Sequence, residues 1–424
     1  MGLVAILGWI LVLHFLFIFI IEHESKCGEQ HIRYTCAQVK ANRISGSLCH
    51  KLCDDQYFTS SKRQCLAGNP SKQILQFLDW PGDDLGDIVV KFRTQWYQDF
   101  TDHLAAKFNL THHAKRLCLQ ETQNVKLCDV YVATLMTLTD SNTDGQIDDI
   151  EAATVSTLLK NREFFMLTLL HKSALIPELV GFCGGMYAVE SVDYTVEQVV
   201  GTTDHLLDVL PIQGLDVFVS AIPESILESA QPLAHLYFDT FKRKFLPSRR
   251  DEVWLTNQFF VVLKRLADFN GIHIHMCDIH WANFGVMTRR GTRTRLVLLD
   301  FDSLFPTAAA NHKLQSTSCD SDDDCAIGDY DDCMSRCDSN LKTCGAELNT
   351  QNLNILCRNL LIKIWMPALE HHEDDLDRSF PYTQVVELFE KCTSLPLYED
   401  SKSYIQDGIE PIHDSFQAIT GHYD

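Results

Sequence analysis

Sixteen cysteines, Cys27 to Cys392, all follow one long apolar run. An even, dense set in a chain of 424 residues implies disulfides closed in an oxidising compartment, and so a fold whose segments are tied to one another. Zinc is the alternative. No paired C-x2-C knuckles occur, however, and Cys49-x3-Cys53 and Cys333-x3-Cys337 lack neighbouring pairs of metal-site form.

The apolar run, Leu3 to Ile21, is broken only by His14 and is long enough to cross a bilayer as a helix. It passes straight into Glu22-His23-Glu24-Ser25-Lys26-Cys27 without a small-residue cleavage site. The expectation is an uncleaved membrane anchor, span 3–21 within segment 1–26. No Lys or Arg precedes the run, so the cysteines set the orientation: single-pass, with the bulk of the chain lumenal. Asn109-Leu110-Thr111 is the usable glycosylation sequon and lies on that side; Asn69-Pro70-Ser71 is blocked by its proline. With 36 Lys+Arg against 57 Asp+Glu, a net charge of −21 and no basic run, the chain is not a nucleic-acid binder.

The pattern along the chain mixes helices and strands, an α+β class. Five cysteines between Cys27 and Cys65 mark a disulfide-held segment, 27–66. Residues 86–92 read as a strand, and Trp96, Phe100, Leu104 and Phe108 stand at helical spacing within 95–108. Further helices are expected at 127–138, 150–170, 253–269, 356–369 and 382–389, and strands at 185–192, 284–288 and 295–299. Six cysteines from Cys319 to Cys357, interleaved with Asp320-Ser321-Asp322-Asp323-Asp324, read as an acidic disulfide module, 319–357. The closing segment, 358–424, reads as helices and, from Ser401, a polar tail.

Asp140-Ser-Asn142-Thr-Asp144-Gly145-Gln146-Ile147-Asp148-Asp-Ile-Glu151 fits the EF-hand calcium loop. Oxygen-bearing side chains stand at the first, third, fifth, ninth and twelfth places, Gly145 at the sharp turn, and Gln146 where a main-chain carbonyl ligates. Calcium held by Asp140, Asn142, Asp144, Gln146, Asp148 and Glu151 is the expectation, in an EF-hand over 128–160. The other reading is an acidic turn. The exit helix is expected to run unbroken from Asp149 past Glu163, placing Glu163 about 18 Å from Glu151. Calcium then either positions Glu163 or only stiffens a hairpin.

Asp278-Ile-His280-Trp-Ala-Asn283, with Asp300 seventeen residues after Asn283 in Leu298-Leu299-Asp300-Phe301-Asp302, carries the groups that phosphoryl transfer needs: a carboxylate at the nucleophile and a metal clamp on the phosphates. It resembles the protein-kinase H-R-D-x4-N loop and the D-F-G beyond it. By that resemblance Asp278 is the base, and Asn283 and Asp300 are ligands of Mg²⁺ or Mn²⁺ on ATP. Glu163 stands where the αC glutamate stands, and Lys91, in Ile88-Val89-Val90-Lys91, is the phosphate lysine. Departures are Met276 and Cys277 for the His and Arg, His280 for the lysine, and Asp302 for the glycine. No glycine-rich loop precedes Lys91, since Gly82 and Gly86 lie too close to it, and no A-P-E follows.

Anchor, cysteines, calcium loop and this constellation together resemble the divergent protein kinase domain 1 family, cysteine-rich single-pass kinase-like proteins of the endoplasmic reticulum. The resemblance implies a two-lobed kinase-like fold in that membrane. The smaller lobe would occupy 67–192 with the EF-hand inserted, and the larger 193–318. It implies ATP-dependent phosphoryl transfer to a secretory-pathway acceptor, possible regulation by calcium included. The alternative is a catalytically silent pseudokinase acting as a calcium-binding scaffold, which the missing glycine loop favours.

Overall fold

Residues 88 to 93 show how the first lobe is built. Ile88, Val90 and Phe92 are buried on one side while Val89 and Lys91 project to the other, the two-residue period of a strand. This strand, β3 (Ile88–Arg93), sits within a five-stranded antiparallel sheet with β1 (Arg63–Gly68), β2 (Lys72–Phe77), β4 (Leu179–Cys183) and β5 (Met186–Glu190), in the order β1-β2-β3-β5-β4. Lys91 lies opposite Ile74 of β2 and Tyr187 of β5. The computed structural model describes residues 28–54, 63–68, 72–78, 80, 86–93, 109–200, 249–288, 294–371 and 380–421. The expected anchor at 3–21 and helix at 95–108 lie outside them. Among the described residues no helix is long and apolar enough to cross a membrane.

The cysteine-rich segment covers the back of this sheet. Ile32 of α1 (Glu29–Lys40) and Leu52 of α2 (Cys49–Leu52) join Leu75, Phe77, Val90 and Phe92 in one apolar cluster. Cys36–Cys53 ties α1 to the end of α2, and Cys49–Cys183 pins α2 to β4. The loop before α2 runs so close to β4 that a Cβ on Gly46 would lie 2.2 Å from the Phe182 carbonyl oxygen. Glycine is required there.

Among the described residues, four helices lie between β3 and β4. Asn109 caps α3 (Leu110–Thr122), and Asn124 caps α4 (Val125–Thr139). The disulfide Cys118–Cys128 closes the hairpin between them. Asp148 caps α5 (Asp149–Leu158) in a capping box with Glu151. The helix expected over 150–170 is then broken. Lys160 and Asn161 turn back onto Thr157 and Leu158, and the Asn161 side chain accepts from Glu163 N to start α6 (Arg162–Leu169). A short polar side chain competing for main-chain N–H groups stops one helix and caps the next. Both helices are buried nearly all round, which hides the change of phase. No rigid rod joins Glu151 to Glu163.

The second lobe contains α7 (Arg249–Ala267), a sheet of β6 (Tyr194–Thr195), β8 (Phe284–Met287) and β9 (Arg295–Leu298), and a pair formed by β7 (Ile274–Met276) and β10 (Leu304–Pro306). Beyond α8 (Thr307–Gln315) stand β11 (Ala326–Ile327), β12 (Tyr330–Asp338) and β13 (Thr343–Leu348), cross-linked by Cys319–Cys337 and Cys325–Cys344. Their core includes Phe305 and Leu314 from the body of the lobe. The six cysteines therefore do not close on themselves. Cys333 pairs with Cys277, and Cys357 with Cys392. No cysteine among the described residues is free, Cys65 included, which removes the zinc alternative.

The chain beyond Ser401 is not a polar tail. Ser401–Ser403, a wide turn of helix at Tyr404–Ile409, and a further helix, Glu410–Thr420, follow one another. They bury Tyr404, Ile409, Ile412 and Phe416. The wide turn shifts the apolar stripe by one residue, so it escapes a search at the ordinary helical period. Phe416 meets Phe389 at 5.6 Å and Trp365 at 5.8 Å between ring centroids. Truncating it, Phe416→Ala, is expected to cost about 3–5 kcal/mol of unfolding free energy in denaturant titration. The exposed neighbour Ser415→Ala should stay within about 0.5 kcal/mol. Equal effects would contradict the packing.

Candidate functional site

Because Ile88, Val90 and Phe92 face the cysteine-rich segment, Lys91 is turned to the opposite side, toward α6. Its Nζ lies 2.5 Å from Glu163 Oε1 and 2.6 Å from the Leu299 carbonyl oxygen, and 5.4 Å from the centre of the Phe301 ring. Lys91 is 7% exposed and Glu163 1%. Charges so buried persist only as a pair, and removing one partner of such a pair costs about 3–5 kcal/mol. Asn161 fixes the first turn of α6, and Phe164 and Phe165 wedge the helix against Tyr187 (5.5 Å) and Tyr131 (5.4 Å).

Strand β9 leads into two further acids, Asp300 and Asp302. Leu298 N is held by the Leu175 carbonyl and Leu299 N by that of Asn283, and Phe301 is fully buried. Asp300 and Asp302, on either side of Phe301, turn to a common side. One oxygen from each of Glu163, Asp300 and Asp302 falls in a group whose members all lie within 4.8 Å of one another. Asp302 entered the sequence reading only as a lost glycine; its spacing of two from Asp300 was the signal for a shared face. Three carboxylates beside one lysine leave net negative charge, which fits a divalent cation with phosphate oxygens.

Asp278 and Asn283 stand within electrostatic reach of Asp300, whose charge acts on the Asp278 carboxyl. Asn283 Nδ2 donates to the Asp278 main-chain oxygen at 3.0 Å and to Oδ2 at 3.1 Å, which leaves the amide oxygen for a cation. His280 Nε2 lies 3.3 Å from Asp278 Oδ2. This bond is the largest cause of two shifts: it raises the His280 pKa, with help from the Asp278, Glu197 and Asp300 charges, and lowers that of Asp278 against the effect of burial. Asp278 is thus ionised at neutral pH, the state a proton acceptor needs. From β12, Tyr330 donates its hydroxyl to Asp302 Oδ1 at 3.3 Å. Burial first, and the Asp302 charge second, push the Tyr330 phenol up, so it stays a donor.

Strands β1 and β2 are neighbours in the sheet and precede Lys91 in the chain. The residues from β1 to the start of β2 run from Arg63 to Lys72, and Gly82 and Gly86 lie beyond β2. They hold the single glycine Gly68. The strands are short and polar, with Arg63, Gln64, Gln73 and Gln76, and show no clear alternation.

Asp140, Asn142, Asp144, Gln146 and Asp148 lie between α4 and α5, with Glu151 in the first turn of α5 and Gly145 at φ 82°. Asp140 accepts from Asp144 N at 3.1 Å and Gly145 N at 2.9 Å, and Asp144 from Gln146 N at 2.8 Å. Glu151, 2% exposed, accepts from Ser141 N and Oγ and from Asp148 N.

A family model described as the protein-kinase domain of FAM69 matches residues 155–393, more than half of the chain. A second, described as the N-terminal cysteine-rich ER region of FAM69, matches residues 2–115. Glu163, Asp278, Asn283 and Asp300 fall in the first and Lys91 in the second, while the loop 140–151 lies in neither. No solved structure matches the chain.

Folding raises the His280 pKa above its ordinary 6.5, so its contribution to stability is complete below that value and fades as pH rises through the raised one. The Asp278 pKa falls below its ordinary 3.8, so its contribution is complete above that value and fades as pH drops through the lowered one. The stability difference between the protein and its His280→Gln variant should therefore peak between pH 3.8 and 6.5 and shrink on either side. A difference independent of pH would refute the pairing.

Proposed function

The chain belongs to the FAM69 family, and from that premise we propose that it is a kinase-like protein of the endoplasmic reticulum, anchored by the run 3–21 with its bulk in the lumen, that transfers a phosphoryl group from ATP to a secretory-pathway acceptor. The observation that carries the reading is the convergence of Lys91, Glu163, Asp300 and Asp302, with Asp278, bonded to Asn283, in electrostatic reach of Asp300. Lys91, held by Glu163, engages the phosphates. Asn283 and Asp300 would hold Mg²⁺ or Mn²⁺, which would supply positive charge to the transferred group. Asp278 orients the acceptor hydroxyl and takes its proton. A rival reading, a silent scaffold, draws support from the single glycine at the β1–β2 hairpin.

We propose further that the loop between α4 and α5 is an EF-hand that binds calcium. The helix–loop–helix and the order of its oxygens support this. With no rigid rod to Glu163, coupling would run through packing: Tyr131 of α4 rests on Phe165 of α6, 5.4 Å between ring centres. Asn109, exposed and using its Oδ1 to cap α3, suits the glycosylated asparagine of its sequon.

ATP with Mg²⁺ or Mn²⁺ at about 100 times its dissociation constant should stabilise the full-length protein by about 2.7 kcal/mol, and Asp300→Ala should abolish the effect. No stabilisation with either metal would leave the scaffold. Calcium should stabilise the protein but not Glu151→Gln, and ATP affinity should rise with calcium only in the former; an ATP affinity indifferent to calcium reduces the ion to a structural role.

A further inference from the structure

One strand of the disulfide-rich region touches the proposed site at three points. Tyr330 of β12 donates to Asp302. Two residues on, Asp332 Oδ2 accepts from Ile279 N at 3.3 Å. The next residue, Cys333, is bonded to Cys277. Cys277 and Ile279 are the two neighbours of Asp278, so the strand grips the chain immediately before and immediately after it.

The grip is closed by a ring of hydrogen bonds. Asn359 Nδ2 donates to the Ile279 carbonyl oxygen at 3.2 Å and to both Asp332 oxygens, at 3.2 and 3.0 Å. Arg358 Nη2 donates to Asp332 Oδ1 at 2.9 Å. Arg358 and Asn359 come from a wide helical turn, Cys357–Leu361. Cys277 N is held by the Ser303 carbonyl, and Met276 N by Asn352. With the main chain engaged at 276, 277 and 279, the place of the Asp278 side chain is fixed from both sides.

We propose that β12 is the positioning element of this site, with Asp332 the residue that sets the Asp278 main chain and Tyr330 the residue that aims Asp302. The proposal rests on the phosphotransfer reading for what Asp278 and Asp302 do. It assigns to the disulfide-rich region a task in the chemistry, where stability alone would otherwise explain its cross-links. Asp278 is bracketed by a covalent bond on one side and a half-buried carboxylate ring on the other, so a shift of β12 moves the proton acceptor while Lys91, Glu163 and Asp300 keep their places.

The test uses the full-length protein and three variants, Asp332→Ala, Asp332→Asn and Tyr330→Phe. The readouts are ATP affinity, Mn²⁺ affinity, ATP turnover with water or acceptor, and hydrogen–deuterium exchange of the peptide covering 274–284. Asp332→Ala should leave ATP affinity within about twofold, cut turnover about 100-fold and speed exchange at the loop about tenfold. Asp332→Asn keeps an oxygen for Ile279 N and should restore most of both. Tyr330→Phe should weaken Mn²⁺ about tenfold without changing exchange at the loop. Should Asp332→Ala not fold, Asn359→Ala removes the opposite half of the ring and carries the same expectation for exchange and turnover. Unchanged exchange in the Ala variant that folds, or ATP affinity falling in step with turnover, would overturn the assignment. A parent protein that neither binds nor turns over ATP would sink the phosphotransfer reading instead, and exchange would still decide whether β12 holds the loop.

Discussion

The buried pair of Lys91 and Glu163 is the constraint that orders the rest of the structure. An ammonium and a carboxylate withdrawn from water need each other and further hydrogen bonds, or folding would expel them. Meeting that need requires a strand that turns one residue away from its apolar neighbours. It also requires a helix that starts within a residue of the acid, and a second chain, Leu298 to Phe301, close enough to lend a carbonyl and a ring. The cysteine-rich segment belongs to the same solution. It covers the apolar back of β3, so the front can be polar.

The disulfides divide their work. Cys36–Cys53 and Cys118–Cys128 close short loops and hold neighbouring elements together. Cys49–Cys183, Cys277–Cys333 and Cys357–Cys392 join segments remote in sequence. The regions that read as self-contained modules are instead stitched into the lobes they flank.

What was legible in the sequence is what local chemistry dictates. Calcium ligation demands oxygens at set places along one loop, and phosphoryl transfer demands a carboxylate, an amide and a second carboxylate in order, so Asp140 to Glu151 and Asp278, Asn283 and Asp300 could be singled out without a fold. Lys91 and Glu163 could be named only through resemblance, since a lysine after two valines is common and a glutamate before two phenylalanines no less so. Asp332 and Asn359 could not be found at all. Their meaning lies in contacts to Ile279 across more than fifty residues, and the residues themselves sit in stretches that read as an acidic surface and an ordinary helix. The break at Asn161 and the stripe through Tyr404 and Phe416 were hidden for a different reason: burial on every side in one case, and an extra residue in the turn in the other, erase the period on which such readings depend.

The bond between Cys49 and Cys183 also sets an order of events during synthesis. Cys49 emerges beside Cys36 and Cys53, but its partner lies 134 residues downstream. At about 5–20 residues per second, the ribosome makes it wait on the order of ten seconds. Through that interval it is a thiol among nearer thiols, and any bond it makes with them must be undone by exchange before the sheet can be backed. The back of the first lobe is therefore finished only after β4 exists, and maturation of this chain depends on surroundings that can reshuffle sulfur as well as oxidise it.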